Sequence, residues 1–521
     1  MKKNLVLILL ILFSFYIKAQ TNKKALNSRS DTIDILNYQI NLDVTNFSGQ
    51  QINGNCKVIF TPKVNNINSI DLDLQGLNVD SITSNGTSLI FSHNDTLINV
   101  TLASTVNTSD TSNLIVYYNG SPQTDPSGWG GFYFSGNYAF NLGVGFNDNP
   151  HVYGRVWFPC FDNFIEKSSY EFNIITSNGK RAHCNGGLIS ETVLSGDTIS
   201  RKWVLNEEIP TYLACIAISD YQTVHQTFNG INGPIPVELV SSASDTTNMK
   251  NSFANLNGAF DAYELGYGPY LWNKVGFSIV PFSGGAMEHA TNIAYPQYAV
   301  NGNLGNETLM AHEFAHHWWG DLVTCETAED MWINEGMAVY SEHLFLEKVY
   351  DYPTSLDVIK SNNKNVIQKT HLNEGGFRAI SGVPHEYTYG EHTYQKGALV
   401  AHNMRAYLGD SLFFVGLKSI TDNYKFRNIN AAQFRDELTT STGIDMTNFF
   451  NGWVFSPGFS HFAVDSIEVN SNGPNFDIEI HIQQKLRGAT IFHLGVPLEI
   501  TFYDNNWNPY KTNITASGQY S

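Results

Sequence analysis

The chain has 521 residues, a hydrophobic content of 42% with 13% aromatic, and 30 basic against 48 acidic side chains, for a net charge of −18. That length accommodates several domains and poses no difficulty for burying a large core. So acidic a balance argues against nucleic acid or an anionic membrane surface as a partner, and mildly favours attraction of cationic groups such as the amino end of a peptide.

In chain order, Lys2 and Lys3, the apolar run Leu5 to Tyr16 and the tripeptide Ile17-Lys18-Ala19 read as an export signal over 1–19. The mature chain is then expected outside the cytoplasm, periplasmic or extracellular. No cysteine follows the cleavage point to take a lipid, and no later apolar run approaches the length of a membrane span. From 20 to 236 the text is short alternating runs such as Tyr38 to Val44, Lys57 to Phe60 and Leu114 to Tyr118, separated by Asn, Gly, Ser and Thr. That pattern predicts an all-β N-terminal domain. The Gly/aromatic stretch Gly128 to Phe140 reads as a hairpin or loop. Cys56, Cys160, Cys184, Cys215 and Cys325 match no metal-knuckle or redox spacing. Buried free thiols are the expectation for most of them, with a Cys160–Cys184 bridge left open for an exported protein.

From 237 to 455 the period changes and a mixed α+β domain is expected. Met249, Phe253, Leu256, Phe260 and Tyr263 fall at helical spacing and stop at Gly266 and Gly268. Val275 to Val280 reads as a strand leading into Gly284-Gly285-Ala286-Met287-Glu288-His289. A helix then carries His312-Glu313-Phe314-Ala315-His316. The two histidines are four residues apart and project from one helix face, where both imidazoles can close on one Zn2+. Glu313 lies beside them without facing the same point. Eighteen residues on, Trp332-Ile333-Asn334-Glu335-Gly336 offers Glu335 as a third ligand from the next helix. The spacing predicts one zinc ion per chain, held by His312, His316 and Glu335. A fourth position stays free for a water whose proton Glu313 can take, which is the arrangement of metal-assisted hydrolysis. Such a pentad alone carries false-positive risk. Its apolar helical context, the spaced Glu335 and the lack of a rival cysteine cluster all favour the metal reading. Tyr394 sits near the start of another helix. Further helices are expected near Leu412 to Tyr424 and Ala431 to Leu438, the latter capped by Asn430. From 456 to 521 strands return at Phe462 to Val469, Phe476 to Gln484 and Val496 to Phe502, with no evident terminal strand.

Four motifs in one order carry a resemblance: Phe158-Pro159-Cys160-Phe161-Asp162, Gly284 to His289, the zinc pentad with Glu335, and Tyr394-Gln395-Lys396-Gly397. Together they resemble the M1-type gluzincin aminopeptidases, which include aminopeptidase N and leukotriene A4 hydrolase, over about 35 to 464. The resemblance implies a saddle-shaped N-terminal β domain, a thermolysin-like catalytic domain and the start of a small C-terminal β-sandwich. It finds no counterpart of the family's large helical C-terminal domain. It implies zinc on His312, His316 and Glu335, with Glu313 activating water and Tyr394 donating to the oxyanion. Glu288 would hold a peptide's α-ammonium, and Gly285, Ala286 and Met287 would form an edge strand along the substrate backbone. Lys396 would serve structure.

The sequence also departs from the family's pattern. His289 stands where the family has asparagine, with a possible effect on pH response or subsite fit. His317 replaces a glutamine and, next to His316, points away from the metal. The family's second amine-binding residue, about ten before Cys160, has no glutamate here. Asp148, in Phe146-Asn147-Asp148-Asn149-Pro150, is the substitute candidate. Phe164 replaces a turn proline. The expected activity is release of N-terminal residues from peptides. The alternatives are a zinc endopeptidase with an open cleft, or a non-catalytic peptide-binding protein of the same fold.

Overall fold

The computed structural model describes residues 29–521, so the expected export signal over 1–19 lies outside the described residues. The first half is β structure built on strict alternation. In Lys167–Thr176 the residues Ser168, Tyr170, Phe172, Ile174 and Thr176 are buried and those between them are not. Its neighbour Ile33–Asp43 runs parallel to it and stacks Tyr38 on Tyr170 at 5.4 Å. A bulge between Ile35 and Asn37 shifts the phase of that strand, so Ile35 and Tyr38 both face inward. These two strands lie at the centre of an eight-stranded sheet that runs from Gly187–Ser195 at one edge to Thr87–Ser88 at the other. Each large apolar side chain buried in it contributes about 1.5–3 kcal/mol. A three-stranded sheet (Ile67–Asp73, Leu97–Val106, Ile90–His93) and a four-stranded one complete this unit. The latter contains the hairpin Gly131–Ser135 with Tyr138–Leu142, in the Gly/aromatic stretch. All five cysteines are buried and free, so no Cys160–Cys184 bridge forms.

The next sheet corrects the expected domain boundary. Gln222–Gly230, Gly233–Ser241, Val275–Val280 and Ile293–Pro296 form one four-stranded sheet, in which Val237 to Val240 pair in parallel with Val275 to Ser278. A boundary at 236/237 would cut the second of these strands, and the change of unit falls before Gln222 instead. The hairpin Gln222–Ser241 alternates like the strands before it, so periodicity could not separate it from them. Helices pack on this sheet. The apolar stripe from Met249 to Tyr263 forms two helices, Thr246–Ser252 and Leu256–Tyr267, the second ended by Gly268 at φ 100°. The segment Leu412 to Tyr424 belongs to a longer helix, Gly397–Asn423, bent at Gly409 where φ is 72°. Among the described residues no helix is long and apolar enough to cross a membrane.

The C-terminal part is two separate hairpins, Phe459–Asn472 with Asn475–Arg487 and Val496–Tyr503 with Pro509–Ala516. The last of these strands was not expected from the sequence, because Lys511, Thr512 and Asn513 interrupt its apolar residues. The predicted cap of Ala431–Thr442 is present as a full capping box. Asn430 accepts from the Gln433 amide and Gln433 reaches back to the Asn430 amide. Replacing Asn430 with alanine is expected to cost about 0.5–2 kcal/mol, read as a lower denaturant midpoint by far-ultraviolet circular dichroism.

Candidate active site

Two helix ends and two glycines build the site. The helix Glu307–Ala315 stops one residue short of His316, which keeps helical dihedrals and so stays on the face of His312. The turn that follows is anchored by the fully buried Trp318 and Trp319, with the Trp318 indole donating to the Gly268 carbonyl at 3.1 Å. A short 3-10 stretch, Ala328–Ile333, leads into Glu335–Val349, and Glu335 is the first residue of that helix, where the helix dipole favours a carboxylate. Gly336 lies against Gly397, and a Cβ on Gly336 would come within 2.9 Å of the Gly397 Cα and the Thr393 carbonyl. This close crossing explains why glycine follows both Glu335 and the Tyr394-Gln395-Lys396 turn. It brings Tyr394 beside the histidines, its ring parallel to His312 at 6.0 Å.

His312 Nε2, His316 Nε2 and Glu335 Oε2 form a triangle with all three edges at 3.3 Å. Zinc bonds of roughly 2.0–2.1 Å in tetrahedral array place neighbouring ligand atoms at about that separation. The outer nitrogens are engaged. His312 Nδ1 lies 2.9 Å from Glu342 Oε1 and His316 Nδ1 lies 2.8 Å from the Trp319 carbonyl. Each imidazole therefore carries its proton outward and aims a lone pair inward, which is how ligating histidines are oriented. The residues present fit a zinc ion.

The electrostatics call for a cation. Burial opposes charge on both histidines, yet Glu335 and Glu342 hold His312 well above its usual range, and Glu335 with Glu288 raise His316 to about 9. Glu335 is also buried, and the two histidines hold it well below the usual carboxylate range. Glu313, buried beside them, is pushed up to about 7 by desolvation, against the pull of His312 and His316. Glu288 is raised the same way. Ligand atoms of Glu288, Glu313 and His316 also lie within 4.8 Å of one another. His316 has one inward lone pair, which the triangle uses, so this second group is read as two carboxylates at the metal's edge. Burial lifts Tyr394 well above its usual range, so its hydroxyl stays a donor.

A cavity of about 390 Å³ opens on these groups, lined by Gly285, Ala286, Glu288, Glu313, Tyr394 and all three triangle residues. Met287 is buried behind it. Gly285 to Met287 do not form the expected edge strand. Only Met287 is paired, through two backbone bonds with Ala294, and the Gly284 carbonyl accepts from the Trp129 indole at 3.0 Å. His317 faces away, its Nδ1 2.8 Å from the Tyr270 hydroxyl. Burial lowers His289 to a pKa of about 3, which keeps it uncharged near neutral pH. Asp148 is paired with Arg155 at 3.0 Å and does not line the cavity. Lining residues that were not read as site residues from the sequence include Trp129, Phe146, Tyr389 and Glu342. Glu342 alone left a signal, seven residues after Glu335 and so on the same helix face.

Residues 251–453 match the model of the peptidase family M1 domain, and residues 35–213 match the peptidase M1 N-terminal domain. The chain is similar to Probable aminopeptidase 1 of Sulfurisphaera tokodaii, 22% identical over 404 residues that cover 71% of this chain and 50% of that protein. It is similar to Glutamyl aminopeptidase of Bos taurus, 25% identical over 343 residues covering 62% of this chain and 35% of the other. It thus spans half or less of the length of these relatives. The M1 zinc metallopeptidase from Deinococcus radiodurans superimposes with a TM-score of 0.73 at 20% identity, covering 81% of this chain and 94% of that one.

Two substitutions test the triangle. His312→Ala is expected to abolish stoichiometric zinc in elemental analysis. Glu342→Ala, which frees His312 to rotate, is expected to weaken zinc about 10–100-fold in chelator competition.

Proposed function

Because the chain belongs to peptidase family M1, we propose that it is a zinc aminopeptidase removing N-terminal residues from peptides. The observation that carries the exopeptidase reading is Glu288. It is a buried carboxylate at the edge of the triangle, in a cavity that no lysine or arginine among the described residues lines. Such a group is satisfied by an incoming ammonium, through charge-assisted hydrogen bonds. When bound by His312, His316 and Glu335, zinc supplies Lewis-acid chemistry, polarising the scissile carbonyl and making water acidic.

The protein's own groups do the rest. Glu288 fixes the α-ammonium and thereby sets the first peptide carbonyl against the triangle. Glu313 takes a proton from the attacking water and passes it to the leaving amine. The Tyr394 hydroxyl donates to the oxyanion that develops on the carbonyl oxygen. Asp148, committed to Arg155, leaves Glu288 as the carboxylate for amine recognition. The apparent leader over 1–19 supports an exported enzyme, periplasmic or extracellular, acting on peptides and not on nucleic acid.

Three measurements test this. Glu313→Gln is expected to keep its zinc and lose about 10²–10⁴ in kcat, the usual weight of a positioned base. Tyr394→Phe is expected to lose about 10²–10³ in kcat with KM little changed. Acetylating the substrate's amino end removes the cation that Glu288 recognises and should abolish cleavage. Equal cleavage of free and acetylated peptides would defeat the exopeptidase reading in favour of an endopeptidase. Full activity in Glu313→Gln would defeat the assigned base, and no turnover by the zinc-loaded protein would point to a peptide-binding role.

A further inference from the structure

We infer that the cleft selects N-terminal residues with aromatic or large apolar side chains, through a three-ring stack of Trp129, Phe146 and Tyr389; this rests on the aminopeptidase reading above. The three rings line the same cavity as Glu288. Phe146 lies between the other two, nearly parallel to both, at 4.8 Å and 9° from Trp129 and at 4.6 Å and 15° from Tyr389. Further rings brace the ends. Phe282 meets Trp129 at 88° and His151 meets Tyr389 at 68°.

The wall is fixed against the segment that leads to Glu288. Trp129 donates its indole proton to the Gly284 carbonyl at 3.0 Å. Gly284 must lack a side chain there, since a Cβ would stand 2.9 Å from the Phe282 ring and 3.1 Å from Trp129. A residue held by its ammonium at Glu288, four positions further on, has the stack within reach of its own side chain.

The chemistry of the wall decides what it accepts. Both faces of Phe146 are covered, so it turns a ring edge to the cavity, and ring edges carry the positive end of the aromatic quadrupole. They favour the face of another aromatic ring and give a cation no attraction. The carboxylates in reach are committed, Glu335 to the triangle, Glu342 to His312, Glu313 and Glu288 to the reaction. None remains for a lysine or arginine side chain. Where a second amine-binding acid was expected, the chain supplies Phe146 to the cavity and turns Asp148 to Arg155.

The test uses the zinc-loaded protein and the p-nitroanilides of phenylalanine, leucine, alanine and arginine. The expected kcat/KM for phenylalanine exceeds those for alanine and arginine by about tenfold or more. Phe146→Ala should reduce the phenylalanine-to-alanine ratio by about tenfold, and Phe146→Leu, which keeps a packed side chain, should reduce it less. Circular dichroism checks that both variants fold. A wild type that cleaves arginine or alanine as well as phenylalanine overturns the inference, as does a ratio that Phe146→Ala leaves unchanged. Should no p-nitroanilide be cleaved, the aminopeptidase reading fails on its own. Calorimetry with free L-phenylalanine and L-alanine then judges the wall: preferential binding of L-phenylalanine supports it, and equal binding or none overturns it.

Discussion

His312, His316 and Glu335 bring three lone pairs to mutual distances of 3.3 Å inside a buried pocket. Three such atoms repel unless positive charge sits among them, and their burial weakens screening by water. Much of the surrounding structure exists to hold that arrangement. Glu342 and the Trp319 carbonyl take the outward imidazole protons, so the inner nitrogens have no alternative orientation. Trp318 and Trp319 pin the turn after His316. The contact of Gly336 with Gly397 lets the two helices approach until Glu335 reaches the histidines and Tyr394 lies beside them. Any larger side chain at either glycine would part the helices by more than the geometry tolerates.

Four glutamates crowd this pocket, and their environments give them different chemistry. Glu335 sits between two imidazoles, which hold it ionised and suit it to be a ligand. Glu313 has less compensation for its burial and rises to about 7, a value that suits the proton transfer proposed for it. Glu288 is raised by the same burial, against the pull of His316 and His312, and lies at the edge of the triangle and not in it. Glu342 faces the outer nitrogen of His312 and acts through it. The residue type is one, and the division of labour comes from burial and neighbours.

The positions of the two histidines and of Glu313 were legible because helical spacing converts sequence into direction, whereas Tyr394 was read from the resemblance and not from any local period. Glu335 could be read since its distance from His316 is that of a turn between two helices. The all-β reading of the first unit rested on alternation that the buried faces of Ile33–Asp43 and Lys167–Thr176 bear out. What failed did so where period carries no information. A hairpin at 222–241 looks the same whichever sheet it joins. Gly285 to Met287 read as a strand by resemblance, yet Met287 alone is paired, in a single bridge to Ala294. No local signal could pair Phe146 with Tyr389, because their contact depends on how two units dock.

That docking is itself specified. Lys167 donates to Thr324 and to the Arg427 carbonyl, Asn428 donates to the Phe164 carbonyl, and Asn185 donates to the Ala290 carbonyl two residues beyond Glu288. Burial drops Lys167 to a pKa of about 7, so its hold on the second unit comes from hydrogen bonds more than from charge. These bonds join the β unit to the unit that carries the triangle, and the Trp129 indole bond to the Gly284 carbonyl joins the two beside Glu288. The fold thus divides its tasks. One unit supplies the triangle, Glu313 and Tyr394, and the other contributes Trp129 and Phe146, two of the three stacked rings in the cavity. On the proposed reading, a change in the β unit would alter which residue is accepted while the 3.3 Å triangle stays as it is.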